Sequence, residues 1–524
     1  MGNPPIALTL EEQPMAARTR KARKCFVFVR EHRHEVLEAT FQDTLAATSR
    51  AAPGGTAPVE AGLLALATLW QASCHVGDRD AVARTGMDKR WQRVLAGLGA
   101  EPPPFRQGPL CHFRLRLMAH NRDTIVLERT VTLAEQLGGF GARQLRAALD
   151  ATPLLGAGRV EDTLHLRGPA RRQAVGRAAR ALGASAAALL AEAGVVLVGH
   201  RSRKAALALD WGQPQAREQA WRLVLEAVER WHKWLEQHQR LVAEVPPLQD
   251  VMDTLAQLGT QDTAPAPAGG PGGTRLTQPV APERRLALAE ADMRHGRTSR
   301  AQTCNGFQAP CVLDVARHVT RAVVVRPAHE PEHAAVELLV ETVATPPGLL
   351  QLDSDLGSRA SPRMTPWAAP GVSSMARPWP QGGPLFTQDD VTRDCAHGPV
   401  PCPGGQTVPR VPGTDAQLPA SACEGCPQRA PGTTARSGQG RSRPIREDEP
   451  FQHQLRAQSK TRRGRASRRT RPAVEHAISH HIAHQGRRAR SKGLRTNQFD
   501  GRRHAAVSNL QVAAHYVEEL QLAS

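Results

Sequence analysis

The chain has 524 residues, enough for two or three domains of about 100 to 200 residues each and for a sizeable buried core. Lys and Arg total 68 against 49 Asp and Glu, a net charge of +19 with a pI near 10.7, and that balance points to a polyanionic partner. Aromatics make up only 4% while Gly (44) and Pro (41) are abundant, which argues against one uniform globule and for long irregular segments.

No apolar stretch reaches the roughly 18 residues that cross a bilayer; the best, Ala184 to Val198, is interrupted by Glu192, so a soluble chain is expected. The opening residues MGNPPIALTLEEQP lack a basic start and an apolar core, and Ile6 breaks the myristoylation pattern, so neither export nor lipidation is expected. The nine scattered cysteines read as reduced thiols or metal ligands in a cytosol, which makes the cytoplasm the expected location.

From His34 to about Leu149 the pattern is helical. Val36, Leu37, Phe41 and Leu45 recur at steps of three and four, as do Leu63, Leu64, Ala67 and Trp70, then Val82, Met87, Trp91, Val94 and Leu95. Ala147 to Leu149 then read as a short buried strand that ends in a turn at Asp150-Ala-Thr-Pro153. A second helical block covers Ala170 to Ala193 and Ala216 to Val245, where Trp221, Trp231 and Trp234 share an apolar stripe and read as core. Thr260 to Glu283 is a linker by composition.

Beyond the linker the order is strand (Cys311–Val315), strand (Thr320–Arg326), helix (His333–Val343) and strand (Leu349–Leu352, running towards Asp355), which suits an α/β sheet. Leu356 to Pro450, rich in Pro and Gly, reads as an irregular insertion, followed by helices at Pro472–Gln485 and Ser508–Leu520. Between Arg436 and Arg503 lie 19 Arg or Lys against five acids, so this stretch carries +14 of the +19. It has the footprint of nucleic-acid binding. The plainer alternative is a disordered basic tail, against which stands the return of apolar periodicity after Pro472.

Several constellations could carry chemistry. Cys402, Cys423 and Cys426 include one C-x-x-C and offer three soft ligands, a candidate structural zinc site that lacks a fourth ligand unless Cys395 supplies it. His476, His480 and His484 fall on one helix face able to hold a metal, though an exposed polar face is the simpler reading. Gly156-Ala-Gly158 is a lone GxG and carries no weight. Three acids stand apart: Asp150, Asp355 and Glu475. Carboxylates within a basic field suit phosphoryl transfer, because acids hold Mg²⁺ while arginines hold phosphates.

These residues resemble the DDE transposases of bacterial insertion sequences, specifically those with an InsH-like helical N-terminal domain. Leu66 to Asn121 is similar to the N-terminal domain, and Ala148-Leu-Asp150-Ala-Thr-Pro-Leu-Leu-Gly156-Ala-Gly158 to the block carrying the first catalytic aspartate. Arg294-His-Gly-Arg-Thr-Ser, Asn305-Gly-Phe-Gln308, Asp355-Leu-Gly-Ser-Arg-Ala-Ser-Pro362, Phe386-Thr-Gln-Asp, Cys402-Pro-Gly-Gly, Cys423-x-x-Cys426-Pro-x-Arg429, Val474-Glu475-His476, Gly486 to Arg495 and Asn509-Leu510 follow in the family's order.

The resemblance implies an α/β ribonuclease-H-like catalytic core with a helical N-terminal domain, a helical insertion and an irregular Cys-containing insertion. It implies helical DNA-binding residues 1–140 and a catalytic domain 141–524, interrupted by a helical insertion and linker at 166–290 and a Pro/Gly/Cys-rich insertion at 363–450. It further implies that Asp150, Asp355 and Glu475 hold Mg²⁺ or Mn²⁺, and that double-stranded DNA, both element ends and target, is cut and joined by a homodimer assembled on it. Arg468, Arg469, Arg471, Arg487, Arg488, Arg490, Lys492 and Arg495 are the expected phosphate contacts.

Relatives carry Lys, His, Tyr, Lys and Cys where this chain has Gln308, Pro310, Ser358, Gln388 and Gly432. Those departures keep open a degenerate copy, or a non-catalytic DNA-binding descendant of a transposase. A recombinase using Tyr516 as nucleophile, with Arg502, Arg503 and His504 around it, is a further enzymatic alternative.

Overall fold

The computed structural model describes residues 7–10, 12–19, 24–48, 58–95, 103–140, 146–200, 206, 207, 209–213, 215–261, 263–265, 274–276, 283–297, 303–336, 338, 339, 343, 349–352, 373–376, 378, 386, 398–445, 449–469, 472, 475, 476, 478, 479 and 485–523.

The first part is helical: α1 (Glu12–Thr19), α2 (Lys24–Glu31), α3 (Arg33–Val36), α4 (Ala39–Ala46), α5 (Ala61–Cys74), α6 (Asp78–Met87), α7 (Lys89–Val94), α8 (Gln107–Ala119) and α9 (Ile125–Gly138). Helix α5 is apolar on every side and is buried from Gly62 to Ala72, so it forms the centre of this bundle. Trp70 on α5 stacks on Phe26 of α2 at 4.2 Å between ring centroids. The stripe read through Val82 and Met87 to Trp91 is broken in fact. Asp88 caps α7 by accepting from the Arg90 N–H (2.9 Å), the chain turns there, and Met87 is left exposed.

Strand β1 (Arg146–Leu155) is the middle of the main sheet. The other strands are β2 (Thr263–Pro265), β3 (Thr274–Leu276), β4 (Arg294–Arg297), β5 (Thr303–Asp314), β6 (Val319–Val323), β7 (Arg326–Pro327), β8 (Leu349–Leu352) and β9 (Ser373–Ala376). Among the described residues the main sheet runs β4-β5-β1-β8-β9, with β6 and β7 also paired to β5. β5 is antiparallel to β1, whereas β8 is parallel to β1 and β9 to β8.

The sequence stops β1 at Asp150, but the strand continues for five more residues. Pro153 explains both facts. It reads as a turn residue, yet pairing with β8 covers only Arg146–Ala148 and the next bridge on that edge is at Leu155, so among the described residues nothing pairs with the edge at Pro153 and its missing N–H costs nothing. Strand β9 likewise comes from a stretch read as irregular, and β2 pairs with β3 inside the stretch read as linker. A 3₁₀ turn at Glu332–Ala335 opens the segment read as helix, part of which lies outside the described residues.

Between β1 and β2 lie α10 (Thr163–Ala181), α11 (Ala186–Glu192), α12 (Val196–Gly199), α13 (Ala216–Gln237), α14 (Gln239–Glu244) and α15 (Pro246–Thr260). They close a core of their own around Leu166, Ala170, Trp231, Trp234 and Leu255. Trp231 and Trp234 stack on each other, so these tryptophans are core as read. Helix α10 starts seven residues before the expected Ala170, because Asp162 accepts from the His165 N–H and caps it.

The later part holds β10 (Val400–Pro401), β11 (Thr407–Val408), β12 (Asp415–Gln417), α16 (Ala420–Glu424), α17 (Arg429–Gly432), β13 (Ser442–Pro444), α18 (Glu449–Lys460), α19 (Arg462–Arg469) and α20 (Leu494–Ala523). Helix α20 begins 14 residues before the expected Ser508. Its first turns bury Asn497, Gln498, Asp500 and His504, whose polarity masks the helical periodicity in the sequence. Gln498 accepts from the Val325 N–H (2.7 Å) and donates to the Val323 carbonyl (2.7 Å), while Asn509, three turns on, accepts from the Thr320 N–H (2.8 Å) and donates to its carbonyl (2.9 Å). Two amides thus bond the outer edge of β6 and Val325 just beyond it; among the described residues β6 is paired only with β5. Phe499, Ala506 and Leu510 of α20 share one core with Trp70, Leu133, Ala148 and Val323. No described helix is long and apolar enough to cross a membrane.

Candidate active site

Asp150 lies in the body of β1 opposite Cys311, half-buried, with Oδ1 accepting from the Ala151 N–H at 2.8 Å. It stands two residues beyond Ala148, the last β1 residue paired to β8, where Ala148 lies beside Gln351. β8 therefore stops alongside the part of β1 that carries Asp150. Asp355, three positions after the end of β8, lies outside the described residues.

Glu475 is exposed on a helical stretch, its carbonyl accepting from the Ser479 hydroxyl at 2.8 Å. Ile478, one turn further, is buried in the core that contains Ala148 of β1. The chain then returns to β1 itself: the Leu155 N–H donates to the Arg487 carbonyl (2.9 Å) and the Ala489 N–H donates to the Leu155 carbonyl (2.7 Å). The segments bearing Asp150 and Glu475 are thereby tied to the same strand. His476 is exposed; His480 and His484 lie outside the described residues.

The bridge to Leu155 leaves Arg487, Arg488, Arg490 and Lys492 exposed beyond the end of β1. Arg469 is exposed on α19, along with Arg462, Arg463 and Arg465; the side chain of Arg468 and all of Arg471 lie outside the described residues. Arg495 has partners within the protein. Its guanidinium donates to the Met118 carbonyl (2.8 Å), Asn121 (2.9 Å) and Asp123 (2.6 Å), fastening α20 to the turn after α8.

The glycines of Gly156-Ala-Gly158 have a steric purpose that their spacing does not reveal. A side chain at Gly156 would strike Met293, and one at Gly158 would lie 2.8 Å from the Ala287 methyl. The Gly158 N–H donates to buried Glu290 at 2.5 Å. Tyr516 is equally structural. Its hydroxyl donates to the Arg317 carbonyl (2.8 Å), its ring meets Phe140 edge-on, and burial pushes its phenol above the ordinary range, the reverse of what a nucleophile needs.

Cys402, Cys423 and Cys426 line one cavity together with Gly404, Arg441 and Gly432. Among the described residues, however, no group of three or more His, Cys, Asp or Glu side chains is gathered closely enough to hold a metal ion. Three sulfurs do not by themselves make the closed tetrahedral shell that structural zinc requires, and Cys395, the fourth ligand the sequence offers, lies outside the described residues. Gly404 and Arg441 are the residues of this cavity that the cysteine spacing does not announce.

Residues 402–514 match the family model of the transposase DDE domain. The matched stretch, about a fifth of the chain, spans the cysteine cavity, the basic helix α19, Glu475, the arginines beyond it and most of α20. The match supports a transposase function and a ribonuclease-H-like fold, and the mixed sheet with helices packed on it accords with that fold. No curated protein and no solved structure matches the chain.

Proposed function

We propose that the chain is a DDE transposase of an insertion sequence, which cleaves DNA strands at the ends of a mobile element and joins the freed 3′-hydroxyls to target DNA. The observation that carries this reading is the family match at 402–514, within which Arg487 and Ala489 bridge the strand that holds Asp150 and Ile478 shares a core with it. Asp150, Glu475 and Asp355, which follows β8 in sequence, form the acidic set of this proposal.

Their oxygen donors suit Mg²⁺ or Mn²⁺. Asp150, Glu475 and Asp355 would hold the ion, which would supply charge neutralisation at the scissile phosphate and activation of the attacking oxygen. Arg487, Arg488, Arg490 and Lys492, together with the exposed cations of α19, hold the phosphates of double-stranded DNA, so that orientation comes from the basic segments. Assembly as a homodimer on DNA and a cytoplasmic location belong to the same reading.

The experiment is strand cleavage of a labelled duplex bearing the element's terminal repeats, with Mg²⁺ and with a chelator. Nicks that appear only with Mg²⁺ are expected. Gly432 within the cysteine cavity, where the resemblance implies a cysteine, favours a second reading, a DNA-binding descendant without turnover. Salt-sensitive binding with no metal-dependent nick would select that second reading.

A further inference from the structure

The three thiols of the cysteine cavity are unused by the strand-cleavage reading, and their geometry suits a different chemistry. Cys402 sits at the turn between β10 and β11, its N–H donating to the Gln406 carbonyl at 2.7 Å, and Cys423 lies in α16 with Cys426 just beyond. All three are only partly buried, so a small reagent can reach them. Gly404 lies between two of the sulfurs: a Cβ there would be 2.8 Å from Cys426 Sγ and 3.6 Å from Cys402 Sγ. Those two sulfurs face the same few ångströms of space. Within the C-x-x-C pair the Cys426 N–H donates to the Cys423 carbonyl (3.4 Å).

Arg441 lines the same cavity and is held there by donation to the Phe386 carbonyl at 2.7 Å. Reactive cysteines occupy partly exposed settings with a cation nearby. By contrast Cys25, Cys304 and Cys311 are buried, and burial pushes the Cys25 thiol up to about 12. Cys74 and Cys111 are also only partly buried, whereas Cys402, Cys423 and Cys426 share one cavity with a cation.

We propose that Cys402 and Cys426 form a reversible disulfide that fixes the β10–β11 turn to the end of α16. With a disulfide such as oxidised glutathione as oxidant, one protein thiolate attacks it and releases one glutathione thiol. The second protein thiolate then displaces the other glutathione from the mixed disulfide. The two protein thiols lose two protons and two electrons in all, and one oxidised glutathione becomes two reduced ones. Cys423 stays a free thiol.

The test uses the full chain, reduced and freed of metal with a chelator, then equilibrated over a range of reduced to oxidised glutathione. Remaining thiols are alkylated and the digest is read by mass spectrometry. A Cys402–Cys426 peptide pair should appear as the buffer becomes oxidising and vanish on reduction. Cys402→Ser and Cys426→Ser should each lose it, and Cys423→Ser should keep it, with circular dichroism confirming that every variant is folded. Full alkylation of Cys402 and Cys426 across the range, or a cross-link between Cys423 and Cys426 instead, would overturn the proposal. Neither result depends on strand cleavage, so the two readings stand or fall separately.

Discussion

Asp123 is 2% exposed and is covered by two guanidiniums, from Arg495 and Arg502 of α20. A buried carboxylate held in this way is costly to disturb from either side. Asp123→Ala, which strands the buried Arg502, should lose about 3–5 kcal/mol in chemical denaturation, whereas Arg495→Ala, at a half-exposed partner, should lose no more than about 1 kcal/mol. Glu12 and Asp78 make a related case. Burial pushes both carboxyls upward, but hydrogen bonds and charge from Arg30 at Glu12, and hydrogen bonds from Arg114 and Gln71 at Asp78, outweigh it and hold both below the ordinary range. A carboxyl whose folded pKa is depressed stabilises the fold above its unfolded value, near 4.5 for Glu12 and 3.8 for Asp78, and that contribution is lost as pH falls through the folded value. Melting temperatures of the wild type should therefore drop steeply below about pH 4.5, and Glu12→Gln with Asp78→Asn should melt lower at neutral pH with a shallower acid limb. Tyr516→Phe should cost about 0.5–1.5 kcal/mol for one hydrogen bond and leave strand cleavage intact; loss of cleavage in a folded variant would revive the tyrosine nucleophile. Residue identity alone marks Asp150 and Glu475 as acids worth attention. It carries no sign that Arg495 is occupied by Asp123, because an arginine on a basic segment reads the same whether its partner is a phosphate or a carboxylate 372 positions away.

At the scale of elements, β1 and α20 organise the molecule, and the sequence understates both. A proline that an open edge accommodates hides the second half of β1, and the first turns of α20 escape notice because they direct polar groups inward onto β6 and onto Asp123. Period and propensity detect helices that bury carbon; they miss a turn that buries Asn and Gln against partners far along the chain. The apolar stripes of α5 and of α13, by contrast, are legible because their neighbours are hydrophobic. The segment from Arg487 to Lys492 belongs to this scale too, since it is held by a backbone bridge to Leu155 and leaves its side chains outward. Replacing Arg487, Arg488 and Arg490 together by alanine should reduce the slope of log affinity against log salt by up to about 0.9 for each phosphate no longer neutralised. DNA titrations across a series of salt concentrations measure it, and an unchanged slope would show that this cluster does not meet the backbone.

Across the whole molecule, one hydrophobic core joins the N-terminal helices, the sheet and α20, while the helices between β1 and β2 enclose a second. The mixed α/β character is legible from the order of strands and helices beyond residue 303, and the concentration of positive charge after Arg436 from composition alone. The joining of the first and last parts of the chain is not, because nothing local in α9 or β6 names α20 as its partner. Ile478, near Glu475, shares this core with Ala148 of the strand that carries Asp150, and the proposed convergence of the acids gives the account its sharpest test. Asp150→Asn, Asp355→Asn and Glu475→Gln should be assayed side by side for Mg²⁺-dependent nicking and for duplex binding at one fixed salt concentration. The account predicts that each variant stays folded, binds DNA within about threefold of the wild type and loses at least about a hundredfold in cleavage, because positioning comes from the arginines and chemistry from the acids. Cleavage that survives at near wild-type rate in any one of the three would contradict it.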